Sequence, residues 1–67
     1  MKKYIIQPKG ARKEFYERFA SFMRCHGRRP SYDEIRNKLY FEPSWVMNNI
    51  GNLKTIERRI EKGVVEV

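Results

Sequence analysis

The stretch "RRPSYDEIRNKLYFEPSWVMNNIGN", residues 28–52, contains two helix starts in succession, each marked by a proline and a serine. At the first, Ser31 and Glu34 stand three apart, the spacing of a capping box. There the serine oxygen accepts from the glutamate's backbone N–H, and the carboxylate accepts from the serine's. A second helix of the chain is expected to follow, from about Tyr32 to Tyr40, with Ile35 and Leu39 as a short buried stripe. At the second start, Pro43 opposes a helical conformation at Glu42. Either Glu42 or Ser44 begins the next helix, and in the first case Pro43 sits in a first turn that tolerates it. Beyond it, Val46, Ile50, Leu53, Ile56 and Ile60 fall within an arc of about 120° on a helical wheel. This predicts a long third helix, from about Pro43 to Lys62. Gly51 weakens its middle by about 1 kcal/mol relative to alanine, and a break there is the main alternative.

Upstream lies "ARKEFYERFASFMRC", Ala11 to Cys25, where Phe15, Phe19, Phe22 and Met23 recur at helical spacing. It reads as an amphipathic helix with a phenylalanine-rich core stripe, closed by Gly27. Downstream, Gly63 is expected to end the third helix, with Lys62 suiting its dipole. "KYII" (residues 3–6) and "VVEV" (residues 64–67) are strand-like. A lone strand cannot satisfy its own backbone groups, so the chain ends are expected to pair. The fold class read here is mainly α: a three-helix helix-turn-helix core with a small two-stranded sheet formed by the chain ends.

A chain of 67 residues is one domain, residues 1–67, with little stability to spare. It is too small to enclose a deep substrate pocket easily, which weighs against an enzyme. The net charge of +7 points to polyanionic partners, nucleic acid first and an anionic membrane or acidic protein next. Cys25 is the single cysteine and His26 the single histidine, too few for a disulfide or a structural zinc site. They point about 100° apart on a helix, without an acid to orient the imidazole, so no catalytic pair, metal or cofactor is expected. One cysteine fits a reducing, cytoplasmic setting. No apolar run approaches a membrane span. The basic "MKK" start reads either as an arm against a nucleic-acid backbone or as a solvated tail.

Two helices across a short turn, the second with a polar face, describe a helix-turn-helix, whose second helix enters the major groove. The exposed face of the long third helix is expected to carry Asn48, Gly51, Asn52, Thr55, Arg58, Arg59 and Lys62. Asparagine can pair two-pronged with adenine, threonine can touch a thymine methyl, and arginine can hold guanine or phosphate. Gly51 would allow close approach to a groove wall. Two asparagines, a threonine and a glycine are poor choices for a helix face without a partner. Arg28 and Arg29, before helix two, and Lys62, near the end of helix three, extend the basic surface towards phosphates. Trp45 lies beside the apolar stripe, either as a core edge or as an exposed anchor for a protein.

"GRRPSYDEI", Gly27 to Ile35, resembles the G-x-x-P-[ST]-x-x-E-I segment of winged helix-turn-helix domains, in particular the DNA-binding domain of LexA-type repressors. The same segment occurs in sigma-factor helices. Phe19, Phe22, Met23 and Gly27 fit the apolar spacing of that family's first helix, and "VMNNIGNL", Val46 to Leu53, that of its recognition helix. The resemblance covers about Phe15 to Leu53. It implies a winged-helix-like fold and regulation of transcription. It implies that Ser44, Trp45, Met47, Asn48, Asn49 and Asn52 lie at or near the DNA-reading surface, with Arg28 and Ser31 near phosphates. Three features depart from the family: Tyr40 stands where its turn has glycine, the third helix reads about two turns longer, and one terminal strand cannot build its wing. The expected function is thus a double-stranded DNA-binding module, either a small transcriptional regulator or a recombination accessory factor. The alternative is a protein-docking module with an apolar patch at Trp45, Met47, Tyr40 and Phe41. A monomer would read few base pairs, whereas a homodimer would bind paired half-sites; the sequence leaves both open.

Overall fold

The computed structural model describes residues 5–66, which hold four helices: α1 (Ala11–His26), α2 (Tyr32–Asn37), α3 (Pro43–Asn49) and α4 (Leu53–Glu61). The "MKK" arm and the first two residues of "KYII" lie outside the described residues, as does Val67.

The spine is α1. Its spacing puts Phe15, Phe19 and Phe22 on one face, all buried, with Tyr16 beside them. Against that face pack Ile35 and Leu39, Val46 of α3, and Leu53 and Ile56 of α4. Each such side chain contributes about 1.5–3 kcal/mol when removed from water, so this one cluster is the main source of stability. The helix stops where Gly27 takes a left-handed φ of 71° and donates its N–H to the Met23 carbonyl at 2.8 Å.

The helix α2 starts as its capping box dictates. The Glu34 N–H donates to Ser31 Oγ at 3.2 Å, and the Ser31 N–H donates to Glu34 Oε1 at 3.0 Å. It is shorter than expected, ending at Asn37 rather than Tyr40. The chain turns at Tyr40, which holds a left-handed φ of 61°. The turn is tied to α1 through Arg18, whose Nη1 donates to the Leu39 carbonyl at 2.7 Å. The same guanidinium lies over the Phe41 ring, 5.4 Å from its centroid, and pairs with Glu14 one turn earlier.

The expected long third helix is two helices. Its first part, α3, ends at Asn49, and α4 begins anew at Leu53. Two residues cause the break. Gly51 adopts φ 143°, a conformation that L side chains rarely take. Asn52 is extended and accepts the Thr55 N–H on its Oδ1 at 2.8 Å, an N-cap. Both segments keep the apolar spacing, so Val46, Leu53 and Ile56 are buried and Ile50 and Ile60 partly so.

The two-stranded sheet is also corrected: the described residues contain no strand. The chain ends meet at a single isolated parallel bridge between Ile6 and Val65. The Ile6 N–H donates to the Val64 carbonyl at 2.6 Å, and the Glu66 N–H to the Ile6 carbonyl at 2.9 Å. The next rung of a parallel ladder would need an N–H from residue 8. That residue is Pro8, which has none, so the pairing does not extend past Ile6 in that direction.

Candidate nucleic-acid interface

The helices α2 and α3 pack on each other across the Tyr40 turn. Tyr32 Oη donates to Met47 Sδ at 3.0 Å, and Arg36 pairs with Glu42 at 3.4 Å. With Val46 turned inward, Ser44, Met47 and Asn48 share the outer face of α3, at i, i+3 and i+4. All three are exposed, Met47 by 48%.

The other expected reading residues are arranged differently. Trp45 is half-buried against the core edge and stacks on Phe41, with ring centroids 5.5 Å apart. Asn49 is exposed but its Nδ2 donates to the Trp45 carbonyl at 2.9 Å. Gly51 shapes the break rather than a close approach, and Asn52 Oδ1 is engaged in the α4 cap. Thr55, Arg58, Arg59 and Lys62 do not continue the α3 face. They lie on α4 or, for Lys62, at its C-cap, and line a cleft of about 420 Å³ with Ile6 and Val64. The single surface expected from a continuous helix is therefore two groups on two helices.

The basic residues before α2 are engaged within the fold. Arg28 forks onto both Glu34 oxygens at 2.7 and 2.9 Å and lies over the Phe22 ring, 5.2 Å from its centroid. Arg29 pairs with Glu57 of α4 at 2.8 Å, and Ser31 is held by the capping box. The Arg28 hydrogen bonds, then the Ser31 N–H, hold the Glu34 carboxyl down at about 2, from an ordinary 4.5.

Part of the positive charge without a carboxylate partner lines two clefts. Among the described residues, Lys9, Arg12, Lys13, Arg24, Lys38, Lys54, Arg58, Arg59 and Lys62 make no ion pair. Lys9, Arg12 and Arg59 line a second cleft of about 380 Å³, with Tyr16, Asn49 and Ile50. Lys9 and Arg12 carry no signal in the sequence beyond their charge. Arg12 stands one turn before Tyr16 on α1, and Lys9 lies in the segment that the Ile6–Val65 bridge holds.

Cys25 is exposed, and the His26 ring stacks on Phe22 at 4.1 Å. Among the described residues, no three His, Cys, Asp or Glu side chains are grouped to hold a metal, and no helix is long and apolar enough to cross a membrane. Comparison of the chain with protein-family models, curated proteins and solved structures returns no match.

Proposed function

We propose that this domain binds double-stranded DNA through α3, as a small cytoplasmic transcriptional regulator or recombination accessory factor. The observation that carries the reading is the outer face of α3. It exposes Ser44, Met47 and Asn48 on the second helix of a helix-turn-helix pair, in a chain of net charge +7. Asn48 has the two-pronged chemistry for adenine, Ser44 can donate to or accept from a base edge, and Met47 offers an apolar contact. A helix of seven residues reads few base pairs, so affinity rests largely on phosphate contacts from Arg58 and Arg59 of α4 and Lys62 at its C-cap.

The test is selection of bound duplexes from a random pool, followed by salt titration of the winner. Asn48→Ala should narrow the gap between selected and random duplex by about 1–3 kcal/mol. Arg58→Ala should weaken both alike. Equal affinity for selected and random DNA at physiological salt would overturn sequence-specific reading.

Docking on a larger protein machine through the patch around Trp45 is the second reading. The exposure of Tyr40, at 77%, and of Met47, at 48%, favours it. The stacking of half-buried Trp45 on Phe41 weighs against Trp45 as the anchor. Capture of a protein partner that survives high salt and is lost in Met47→Ala would support it.

A further inference from the structure

The cleft between the N-terminal segment and the α3–α4 bend is built around Arg59. This guanidinium is partly buried. Its Nη1 donates to Tyr16 Oη at 3.1 Å and, more weakly, to the Ile50 carbonyl at 3.4 Å. Tyr16 is only 3% exposed, so the acceptor is itself fixed in the core. Both partners are neutral. They orient the guanidinium, and among the described residues no carboxylate compensates its charge, which is costly for a group withdrawn from water. Lys9 and Arg12 face the same space. Among the described residues no acidic side chain lines it; Glu66 lines the adjoining cleft with Lys9 and is engaged by Gln7 Nε2 at 3.1 Å. Three cations around a concavity, one of them locked in orientation by neutral hydrogen bonds, form a receptor for an anion. Arginine's planar fork suits a phosphate oxygen pair, and lysine supplies a point charge beside it.

The geometry points to this cleft as a phosphate-group site, held by Lys9, Arg12 and Arg59. Asn49 of α3 also lines it, so the site adjoins the proposed reading helix. The inference rests on the DNA reading for its preferred ligand, a backbone phosphate of the duplex. Free phosphate has the same chemistry and is the other source.

The experiment uses Lys9→Gln/Arg12→Gln, two exposed positions whose change leaves the Arg59–Tyr16 bond in place. The charge-matched control is Arg24→Gln with Lys38→Gln. Arg24 stands twelve residues further along α1 than Arg12, about 18 Å away. For one duplex, the slope of log affinity against log salt should become shallower by about 1.8 in the cleft variant, because each lost phosphate contact removes about 0.9. The control should keep the wild-type slope, and the ratio of selected to random binding should stay unchanged in both. Equal slopes in cleft and control variants would overturn the site.

Titration with inorganic phosphate against chloride at matched ionic strength, followed by amide NMR, is independent of duplex binding. If no duplex binds, the DNA reading fails. Phosphate-specific shifts at Lys9, Arg12, Tyr16 and Ile50 that vanish in the cleft variant would then establish the site with free phosphate as its ligand. No duplex binding and no phosphate-specific shift would overturn both.

Discussion

The break at Gly51–Asn52 gives the sharpest test of how this chain folds. Asn52→Ala removes the Oδ1 that accepts the Thr55 N–H. Loss of an N-cap costs about 0.5–2 kcal/mol. Leu53, the first residue of α4, is buried at 7% exposure, so fraying would also unseat a core side chain. The expected loss is therefore in the upper part of that range, about 1–1.5 kcal/mol. The entropy of unfolding is about 2.1 cal/mol/K per residue, so 1 kcal/mol corresponds to about 7 °C in a domain of this size. Circular dichroism melts should thus place Asn52→Ala about 7–10 °C below the wild type. Asn52→Asp keeps an acceptor and adds a negative charge at a helix start, so it should melt within about 3 °C of the wild type. Gly51→Ala separates strain from crowding. A Cβ there would meet nothing within 4 Å, yet φ is 143°, so the whole cost, about 1–3 kcal/mol, comes from the backbone. Asn52 does not cap α4 if Asn52→Ala melts with the wild type, or if Asn52→Asp falls as far as Asn52→Ala.

Two further outcomes follow from the same kind of argument. Tyr40 holds φ 61° with its side chain 77% exposed, so Tyr40→Gly should melt at or above the wild type, whereas β-branched Tyr40→Val should lose about 1–2 kcal/mol; the reverse order would show that the side chain outweighs the backbone. The Glu34 carboxyl is held down at about 2 from 4.5 by Arg28, so its contribution is fully present above about 4.5 and is lost as pH falls towards 2. Glu34→Gln keeps an acceptor for the Ser31 N–H, so the wild type's thermal advantage over it should be constant at neutral pH and shrink across that window. An advantage that did not change with pH would mean that the ion pair contributes nothing.

Helix starts were legible because capping is local chemistry. Ser31 and Glu34 announce α2, Pro43 the first turn of α3, and Gly27 the end of α1. The phenylalanines of α1 were legible as core because three aromatics at helical spacing on one small domain have nowhere else to go. The break in the third helix was obscured by its own periodicity. Val46, Ile50, Leu53, Ile56 and Ile60 keep one spacing across two helices, and the signal that decides is Gly51 beside Asn52, with Thr55 at the third position of the new helix. The chain-end sheet failed because β-branched composition says nothing about donors, and Pro8 withholds the one needed for a second rung. On the surface, charge was legible but pairing was not. Arg28 and Arg29 read as free cations in sequence, yet their partners are Glu34, six residues on, and Glu57, twenty-eight residues on. Conversely, Lys9 and Arg12 look like scattered charges until the fold brings them to Arg59.

The clasp between Ile6 and Val65 bears on the order of folding. It joins residues 59 apart in the chain, and so long a loop closes late, after the helices have shortened the path between its ends. A contact that forms last and rests on a single rung is also among the first to open in the native state. Ile6 walls both clefts. Each opening of the clasp would therefore remove one wall from both together, and the lifetime of that single rung limits how long Lys9 stays in register with Arg59, whereas Arg12 is held by α1 itself.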